Sequence, residues 1–361
     1  MKYESFEPNG SFFMPVKNVL SLFNGISALH LALDRAGIQV NTCYYAEIDK
    51  YANKVTEKHY PNDIALGDVT KWREWDIDWS SIDLVGAGFP CQAWSVAGKQ
   101  LGDKDERGML FWTTLEIIAH VLKHNPKAKF LMENVKMKKD FEEYITHHTT
   151  EALGYVEKTL INSALVSAQN RNRYYWTNFE VTQPEDKGVL LKDVLEDLPI
   201  NKAMPKNTEF KKNYAQWDLN GKGNKSQDQR AFYQDGKHGT LPSNGGGSKV
   251  KVVVFNNESA TKIGKSYSLT ASYGGAVAWN SCQKKQRTMI PVAESTDENP
   301  NQYNGILYRK LTPLECERLQ TFPCGWTDSI SNTQRYKSLG NAWTVDVIAH
   351  IFKEMNKCET V

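Results

Sequence analysis

The stretch that decides the fold is residues 16–37, VKNVLSLFNGISALHLALDRAG. Its first eight residues are mostly apolar and predict a buried strand. A turn follows at Gly25, and apolar residues at helical spacing predict a helix that stops at Gly37. A strand that passes through a glycine turn into a helix is a typical first unit of an open α/β sheet. Its turn lets a ligand approach the backbone and the start of the helix.

The same alternation continues beyond this unit. Further strands are predicted at 42–47, 82–86, 129–135 and 174–179, with helices at 51–59, 110–124 and 141–153 and a last helix from Val345. This order predicts a doubly wound, Rossmann-like, mostly parallel sheet. Residues 201–290 are rich in Lys, Gly, Asn and Ser and lack a helical period, which predicts a smaller, irregular, mostly β domain.

The charge is unevenly distributed along the chain. The whole chain of 361 residues carries a net charge of +2, yet residues 201–290 hold 15 Lys and Arg against 5 Asp and Glu. Such an imbalance favours contact of this segment with a polyanion, although a solvated lysine-rich loop region is the commoner meaning of charge alone. The six cysteines are scattered without a CxxC pair, so we expect reduced thiols, a cytoplasmic location and no metal ion.

Acidic residues stand at the predicted ends of successive strands. Glu47 suits a ribose diol, and Asp68 in the sequence GDV suits an exocyclic amine. Neither GxGxxG nor GxxxxGK[ST] occurs, which disfavours dinucleotides and ATP. The pattern therefore predicts an adenosyl ligand without phosphates, such as S-adenosylmethionine.

A cysteine and a carboxylate follow two other strands of the predicted sheet. Cys91 lies in residues 88–98, GFPCQAWSVAG, where glycine and proline present the thiol, and Glu133 lies near the end of the strand at 129–135. A thiolate beside a carboxyl group suits attack on an electron-poor ring with protonation of a ring nitrogen. Arg171 and Arg173, two residues apart, would point the same way on an extended segment. Singly, each has a commoner meaning: a packed cysteine, a surface acid, a solvated basic turn.

The ordered set of motifs resembles the cytosine-5 DNA methyltransferases of bacteria and phages. The matching residues are 23–25 (FNG), 47 (E), 67–69 (GDV), 88–92 (GFPCQ), 107–111 (RGMLF), 132–135 (MENV), 169–173 (QNRNR), 309–323 (RKLTPLECERLQTFP) and 340–343 (GNAW). Residues 166–168 (VSA) and 174–176 (YYW), on either side of QNRNR, are more similar to the de novo branch of the animal enzymes.

The resemblance implies a DNA (cytosine-5-)-methyltransferase. Cys91 would attack carbon 6 of a cytosine flipped out of a specific double-stranded DNA sequence, and S-adenosyl-L-methionine would supply the methyl group for carbon 5, leaving S-adenosyl-L-homocysteine. Glu133 would hold ring nitrogen 3, Arg173 would bind oxygen 2, and Arg171 would complete the catalytic set. The implied cofactor pocket comprises Phe23, Gly25, Glu47, Ile48, Asp68, Val69, Pro90, Leu110, Asn341 and Ala342. The implied DNA contacts are Gln92, Ser95, Lys99, Ser268, Leu269 and Thr270.

The resemblance also implies a domain organisation and partners. We expect an N-terminal extension at 1–15, the first part of the catalytic domain at 16–185, a target-recognition domain at 186–322 and a return to the catalytic domain at 323–361. We expect a monomer that binds double-stranded DNA and no membrane, in a bacterial or phage-infected cell. A cognate restriction endonuclease and the recognition sequence stay open.

Three alternatives remain at this point. A non-catalytic DNA-binding homologue would keep the scaffold, and a tRNA cytosine-5 methyltransferase would keep the chemistry. A different Rossmann-type enzyme would carry Cys91 incidentally. The RNA branch of the family has a Cys-Phe-Thr element in its middle region, which this chain lacks.

Overall fold

The computed structural model describes residues 18–90, 108–196 and 311–357, and between them only the backbone of seven short strands within 209–309. The strands of the first part are β1 (Asn18–Leu22), β2 (Thr42–Ala46), β3 (Ile64–Ala65), β4 (Leu84–Ala87), β5 (Lys129–Val135), β6 (Glu157–Asn162), β7 (Gln169–Asn170) and β8 (Asn172–Thr177). The helices are α1 (Ala28–Ala36), α2 (Lys50–His59), α3 (Met109–His124), α4 (Lys139–Leu153), α5 (Pro313–Leu319), α6 (Asn332–Asn341) and α7 (Val345–Lys357).

A seven-stranded sheet forms the centre of the molecule, with the strand order β3-β2-β1-β4-β5-β8-β6. The first five strands in this order are parallel, whereas β8 runs antiparallel to both β5 and β6. The chain moves outward from β1 to β3 and then returns to place β4 on the other side of β1. This reversal of strand order at β1 and β4 is where open α/β sheets bind their ligands. The predicted doubly wound, mostly parallel sheet is confirmed.

Alternating side chains of the central strands pack on opposite faces of the sheet. Val19 and Leu84 belong to one hydrophobic cluster, which α1 and α7 cover, while Leu20 and Val85 belong to the other, which α3 covers. Leu20 is fully buried, and burial of such a side chain stabilises a fold by about 1.5–3 kcal/mol. Both faces are covered, which explains why the strands read as continuous apolar runs rather than as alternating ones.

Among the elements that were not predicted from the sequence, two bear on the site. The strand β6 (Glu157–Asn162) lies at the edge of the sheet and is mostly only half-buried, so its sequence EKTLIN lacks a strong apolar pattern. The helix α6 (Asn332–Asn341) is largely polar and contains Gly340, which weakens the helical signal. Both elements matter for the site, because β6 supports β8 and α6 ends at the cavity.

The segment from Leu311 onward packs into the large domain. Proline occupies the first turn of α5, and Thr312 caps the helix in a reciprocal capping box with Glu315. Leu311, Cys316 and Phe322 belong to the same hydrophobic cluster as α1 and α7. This packing favours a return to the large domain at Leu311 rather than after Phe322, while the domain boundaries themselves stay a prediction.

Short strands are the only regular structure described in the middle segment. Four of them form one sheet in the order β12-β11-β10-β9, namely β12 (Lys251–Val253), β11 (Arg230–Tyr233), β10 (Gln216–Asp218) and β9 (Glu209–Lys211). A pair is formed by β14 (Ile290–Glu294) and β15 (Ile306–Arg309). The strand β13 (Ser266–Tyr267) instead pairs with β7, so the segment returns to the large domain there. Among the described residues, no helix has the length and apolar character that crossing a membrane requires.

Candidate active site

A cavity of about 540 Å³ opens at the carboxyl ends of β1, β2, β3 and β4. A volume of this size is typical of pockets for small molecules and cofactors. Its lining contains all ten residues predicted for the cofactor: Phe23, Gly25, Glu47, Ile48, Asp68, Val69, Pro90, Leu110, Asn341 and Ala342. It also contains Glu133, Arg171 and Arg173. The structure thus brings together every predicted cofactor residue and three of the four predicted catalytic residues.

The turn after β1 is held by a buried network of polar side chains. The Ser21 hydroxyl donates to Asn24 Oδ1 over 2.8 Å, and Asn24 Nδ2 donates to Ser27 Oγ and to Thr56 Oγ1. Ser27 Oγ and Thr56 Oγ1 share a further hydrogen bond of 2.8 Å. Because these groups satisfy one another away from water, the network fixes the turn against α2.

The backbone of this turn is left-handed at three alternating positions. Phe23, Gly25 and Ser27 have φ angles of 56°, 58° and 62°. Such a conformation is strained for Phe23 and Ser27, and residues of this kind often occur at ligand sites. A Cβ added at Gly25 would meet nothing within 4 Å, so the backbone there faces open cavity. The turn therefore presents its main chain to a ligand.

Two carboxylates project into the half of the cavity that lies at the ends of the neighbouring strands β2 and β3. Glu47 Oε2 accepts from the Gly25 N–H over 2.8 Å, and Glu47 Oε1 accepts from the N–H groups of Ile48 and Asp49. Asp68 Oδ1 accepts from the N–H and the hydroxyl of Thr70. These bonds hold the pKa of Asp68 below its ordinary value. Both carboxylates are thus held in a fixed orientation at the cavity wall.

Glu133 on β5 and Arg173 on β8 form a buried ion pair in the other half of the cavity. Arg173 Nε lies 2.9 Å from Glu133 Oε1, although the N–H is not aligned for a hydrogen bond. The arginine also donates through Nη1 to the Asn172 carbonyl, 2.9 Å away. Glu133 is 7% exposed and Arg173 is 3% exposed. The strand register accounts for the pairing, because β5 and β8 are antiparallel neighbours.

Trp343 holds the second oxygen of Glu133. Its indole Nε1 donates to Glu133 Oε2 over 3.0 Å. The ring also packs against Gly88, where an added Cβ would lie only 2.7 Å from Trp343 Nε1. Only glycine at position 88 therefore leaves room for this indole, which connects the loop after β4 to the carboxylate of Glu133. This contact was not predicted from the sequence, although Trp343 belongs to the GNAW motif.

Arg171 holds the backbone around the end of α6. Its Nη1 and Nη2 donate to the carbonyls of Gly340 and Ala342, at 3.4 and 3.0 Å. Gln320 Nε2 donates to the carbonyls of Leu339 and Ala342. These buried donors fix the segment that carries Asn341 and Trp343. Arg171 and Arg173 both line the cavity; Arg171 holds the carbonyls at the end of α6, and Arg173 lies beside Glu133.

The loop that precedes Cys91 is held by the residue after Glu133. Asn134 Nδ2 donates to the carbonyl of Phe89 over 3.2 Å, and both residues are buried. Pro90 follows at the rim of the cavity. Cys91, Gln92, Ser95 and Lys99 lie outside the described residues, as do Ser268, Leu269 and Thr270. For all the predicted residues, the roles towards ligands stay predictions.

The C-5 cytosine-specific DNA methylase family model matches residues 17–357. The chain belongs to this family. The match spans the sheet, the cavity and the C-terminal helices, and the family reaction is methyl transfer to cytosine in DNA. The resemblance drawn from the motifs is confirmed.

Relatives of the family match the chain over nearly its whole length. The Type II methyltransferase M.NlaX of Neisseria lactamica is 28% identical over 93% of this chain and 95% of its own. The Type II methyltransferase M.HpaII of Haemophilus parainfluenzae is 28% identical over 96% of this chain and 91% of its own. The orphan methyltransferase M.SPRI of Bacillus phage SPR is 27% identical over 93% of this chain and 97% of its own.

Solved structures share the fold at lower identity. The methyltransferase EhMeth of Entamoeba histolytica has a TM-score of 0.62 and 17% identity, covering 96% of this chain and 99% of that chain. The S. pombe Dnmt2 methyltransferase has a TM-score of 0.59 and 16% identity, covering 96% of this chain and 100% of that chain. This family member therefore has the fold of known methyltransferases.

Proposed function

We propose that this family member transfers a methyl group from S-adenosyl-L-methionine to carbon 5 of a cytosine flipped out of a specific double-stranded DNA sequence. The observation that carries the proposal is the pairing of two sites in one cavity. One half presents the carboxylates of Glu47 and Asp68, and the other half presents the buried pair of Glu133 and Arg173. The cavity can thus hold a nucleoside-like donor beside a second, polar ring.

The cofactor half fits S-adenosyl-L-methionine, which when bound supplies an electrophilic methyl group. Glu47 would accept hydrogen bonds from the ribose hydroxyls, and Asp68 would accept one from the adenine amine. Phe23 and Ile48 would flank the adenine, and Ile48 leaves 77% of its surface exposed at the rim. Lys337 lines the cavity but is paired with Asp49 at 2.6 Å, so it is not a dedicated phosphate ligand. The lining thus favours a donor without phosphates.

The catalytic half would bind the target cytosine by its polar edge. Arg173 would donate to oxygen 2, and Glu133 would hold ring nitrogen 3 and supply it with a proton as the ring is attacked. Trp343 and Arg173 keep Glu133 in one orientation. Such fixed groups lower the barrier because they need no reorganisation during the reaction. Arg171 would act through the backbone of residues 340–342 rather than on the ring.

Cys91 would be the nucleophile. The Phe89 carbonyl is held by Asn134 and Pro90 lies at the cavity rim, so the chain reaches position 91 from the catalytic half. The Cys91 sulfur would form a bond to carbon 6 while nitrogen 3 takes up a proton, which makes carbon 5 nucleophilic. After carbon 5 is methylated, loss of its proton and breakage of the sulfur–carbon bond would restore the aromatic ring and the free thiolate.

DNA contacts are assigned to the two segments that carry the predicted DNA residues. Gln92, Ser95 and Lys99 follow the nucleophile, and Ser268, Leu269 and Thr270 follow directly after β13. The pairing of β13 with β7 supports this assignment, because β7 leads into Arg171 and Arg173. We propose that the chain acts as a monomer on duplex DNA. Its relatives include both Type II enzymes and a phage orphan.

The deciding experiment expresses the chain in cells and maps methylation of a plasmid by bisulfite sequencing. The intact chain should methylate one short sequence at carbon 5 of cytosine, and Cys91→Ala should abolish the signal. Cys324→Ala, at an exposed cysteine, is the matched control and should leave the signal unchanged. Normal methylation by Cys91→Ala would remove the nucleophile assignment.

A second assay tests the substrate and the covalent step. Purified chain should methylate duplex DNA in the presence of the donor, and methylation of tRNA instead would show the RNA activity. A duplex with 5-fluorocytosine should trap a covalent adduct, because fluorine at carbon 5 cannot leave as a proton does. A mass spectrum without an adduct, under conditions where ordinary duplex is methylated, would contradict the proposed intermediate.

A further inference from the structure

Three groups that commonly bind metal ions meet away from the cavity. His30 lies on α1, Cys43 on β2 and Asp63 between α2 and β3. The ligand atoms of the three side chains all lie within 4.8 Å of one another. His30 Nδ1 is 2.9 Å from Asp63 Oδ2. The cluster therefore joins three elements that are distant in sequence, which explains why the spacing of the cysteines gave no sign of it.

The cluster contains a carboxylate that is mostly buried. The side chain of Asp63 is only 6% exposed, and its ion-pair partner in the described part of the chain is His30. Asp34 adds a second carboxylate nearby, because it accepts from Tyr60 Oη, and the Tyr60 ring stacks on His30 at 3.8 Å. Burial of a carboxylate is costly, and a cation bound beside it would offset part of that cost.

We propose that His30, Cys43 and Asp63 form a site for Zn²⁺ or a similar thiophilic divalent cation. Thiolate, imidazole and carboxylate are the zinc ligands found in proteins, at metal–ligand distances of about 2.0–2.3 Å. Tetrahedral ligands at those distances lie about 3–4 Å apart, which small side-chain shifts would reach from the present arrangement. The thiolate also excludes Mg²⁺ and Ca²⁺, which prefer oxygen ligands. Water would take the fourth position.

A cation at this site would stabilise the elements that position the cofactor half of the cavity. Cys43 lies near the start of β2, and Glu47 follows the end of the same strand. His30 lies on α1, whose first turn begins directly after the left-handed turn at residues 23–27. A cation would connect α1, β2 and the chain before β3, all of which position cavity residues. We therefore expect the cation to stabilise the fold without taking part in methyl transfer.

The exposed cluster of His147, His148 and Glu151 provides an internal comparison. Its ligand atoms also lie within 4.8 Å of one another, but all three residues lie on α4, two of them exposed, and none is a cysteine. The buried cluster should therefore bind Zn²⁺ far more tightly than the exposed one.

The test is titration of the purified, metal-free chain with Zn²⁺ and, separately, with Co²⁺. We expect one tight equivalent of Zn²⁺ and a rise in the unfolding temperature, since a ligand at 100 times its Kd stabilises a fold by about 2.7 kcal/mol. With Co²⁺ we expect a thiolate-to-metal charge-transfer band in the near ultraviolet. Cys43→Ser should abolish the band and weaken binding, whereas Cys324→Ser and His147→Ala should change neither.

Two results would overturn the proposal. One is a folded intact chain that binds no tight equivalent of Zn²⁺, and the other is a Co²⁺ band that persists in Cys43→Ser. If Cys43→Ser does not fold, His30→Gln, whose neutral amide fills similar space, gives the same readout through a loss of tight Zn²⁺ binding. DNA methylation by the intact chain is measured in the same preparation, so failure of the metal site is distinguishable from failure of the proposed function.

Discussion

The two halves of the cavity are built in different ways. In the cofactor half the carboxylates are held by nearby backbone: Glu47 accepts from Gly25, 22 residues away, and Asp68 from Thr70, two residues away. In the catalytic half, Trp343 reaches Glu133 across 210 residues and Arg171 reaches Ala342 across 171. The two carboxylates of the cofactor half are thus held by groups close in sequence, whereas Glu133 in the catalytic half depends on the C-terminal return of the chain. Substitutions should therefore affect the two halves differently.

Glu133→Gln should give the largest effect among substitutions at described residues. The amide cannot protonate nitrogen 3, so we expect kcat to fall by about 10²–10⁴-fold. Unfolding should also require about 3–5 kcal/mol less, because Arg173 loses its buried partner. Methylation rates are measured well below the unfolding transition. Glu116→Gln, on the exposed face of α3, is the control and should change neither quantity. Full activity of Glu133→Gln would exclude the proton-donor role.

Arg171→Lys tests whether Arg171 holds the backbone at the end of α6. Lysine replaces the two guanidinium nitrogens that hold the carbonyls of Gly340 and Ala342 with a single ammonium group, so the free energy of unfolding should fall by about 1.5–3 kcal/mol. Urea unfolding measures this change. Arg35→Lys, at the half-buried ion pair with Asp346, should cost no more than about 1 kcal/mol. Equal losses for the two variants would show that the contacts of Arg171 do not hold the end of α6.

Trp343→Phe tests the contact between Gly88 and Glu133. Phenylalanine keeps an aromatic ring but removes the indole donor. The hydrogen bond that orients Glu133 is then lost, at about 1 kcal/mol, and we expect kcat to fall by about fivefold. The matched control is Trp176→Phe, which loses an indole hydrogen bond to Thr146 away from the cavity. The control should lower stability but not kcat at saturating substrate. A similar kcat loss in both variants would point to a general packing defect.

Thr70→Val should have the smallest effect, because it changes one local hydrogen bond in the cofactor half. The Thr70 N–H and hydroxyl lower the pKa of Asp68. The ionised Asp68 therefore stabilises the fold above pH 3.8, its ordinary pKa, and this stabilisation is lost as the pH falls through the lowered pKa. Without the hydroxyl, that loss should begin at a higher pH. Carboxyl-carbon NMR of Asp68 measures the shift, and Ser80→Ala, next to Asp78, should leave it unchanged.

Local patterns predicted the elements of the first half well. The strand predicted at 129–135 is observed as β5 (Lys129–Val135), because polar residues on both sides of a short apolar run define where the strand begins and ends. The strand β6 and the helix α6 were missed because their sequences are polar or half-exposed. Motifs also indicated which residues would line the cavity, and the structure brings them together.

The sequence could not give the contacts between distant segments. Arg171 and Arg173 look equivalent in QNRNR, yet one donates to the carbonyls of residues 340 and 342 and the other pairs with Glu133. The indole of Trp343 on Glu133 likewise depends on how the last helices pack against β4 and β5. Such contacts follow from tertiary packing, which no local period encodes.

The pairing of β13 with β7 has a consequence for redesign of target specificity. Ser266–Tyr267 runs parallel to Gln169–Asn170, the residues that lead into the two arginines. A transplant of the middle segment from a relative with another target would carry its own version of this strand into the large domain. A successful chimera must therefore preserve the backbone register at 266–267, or exchange 169–170 together with it.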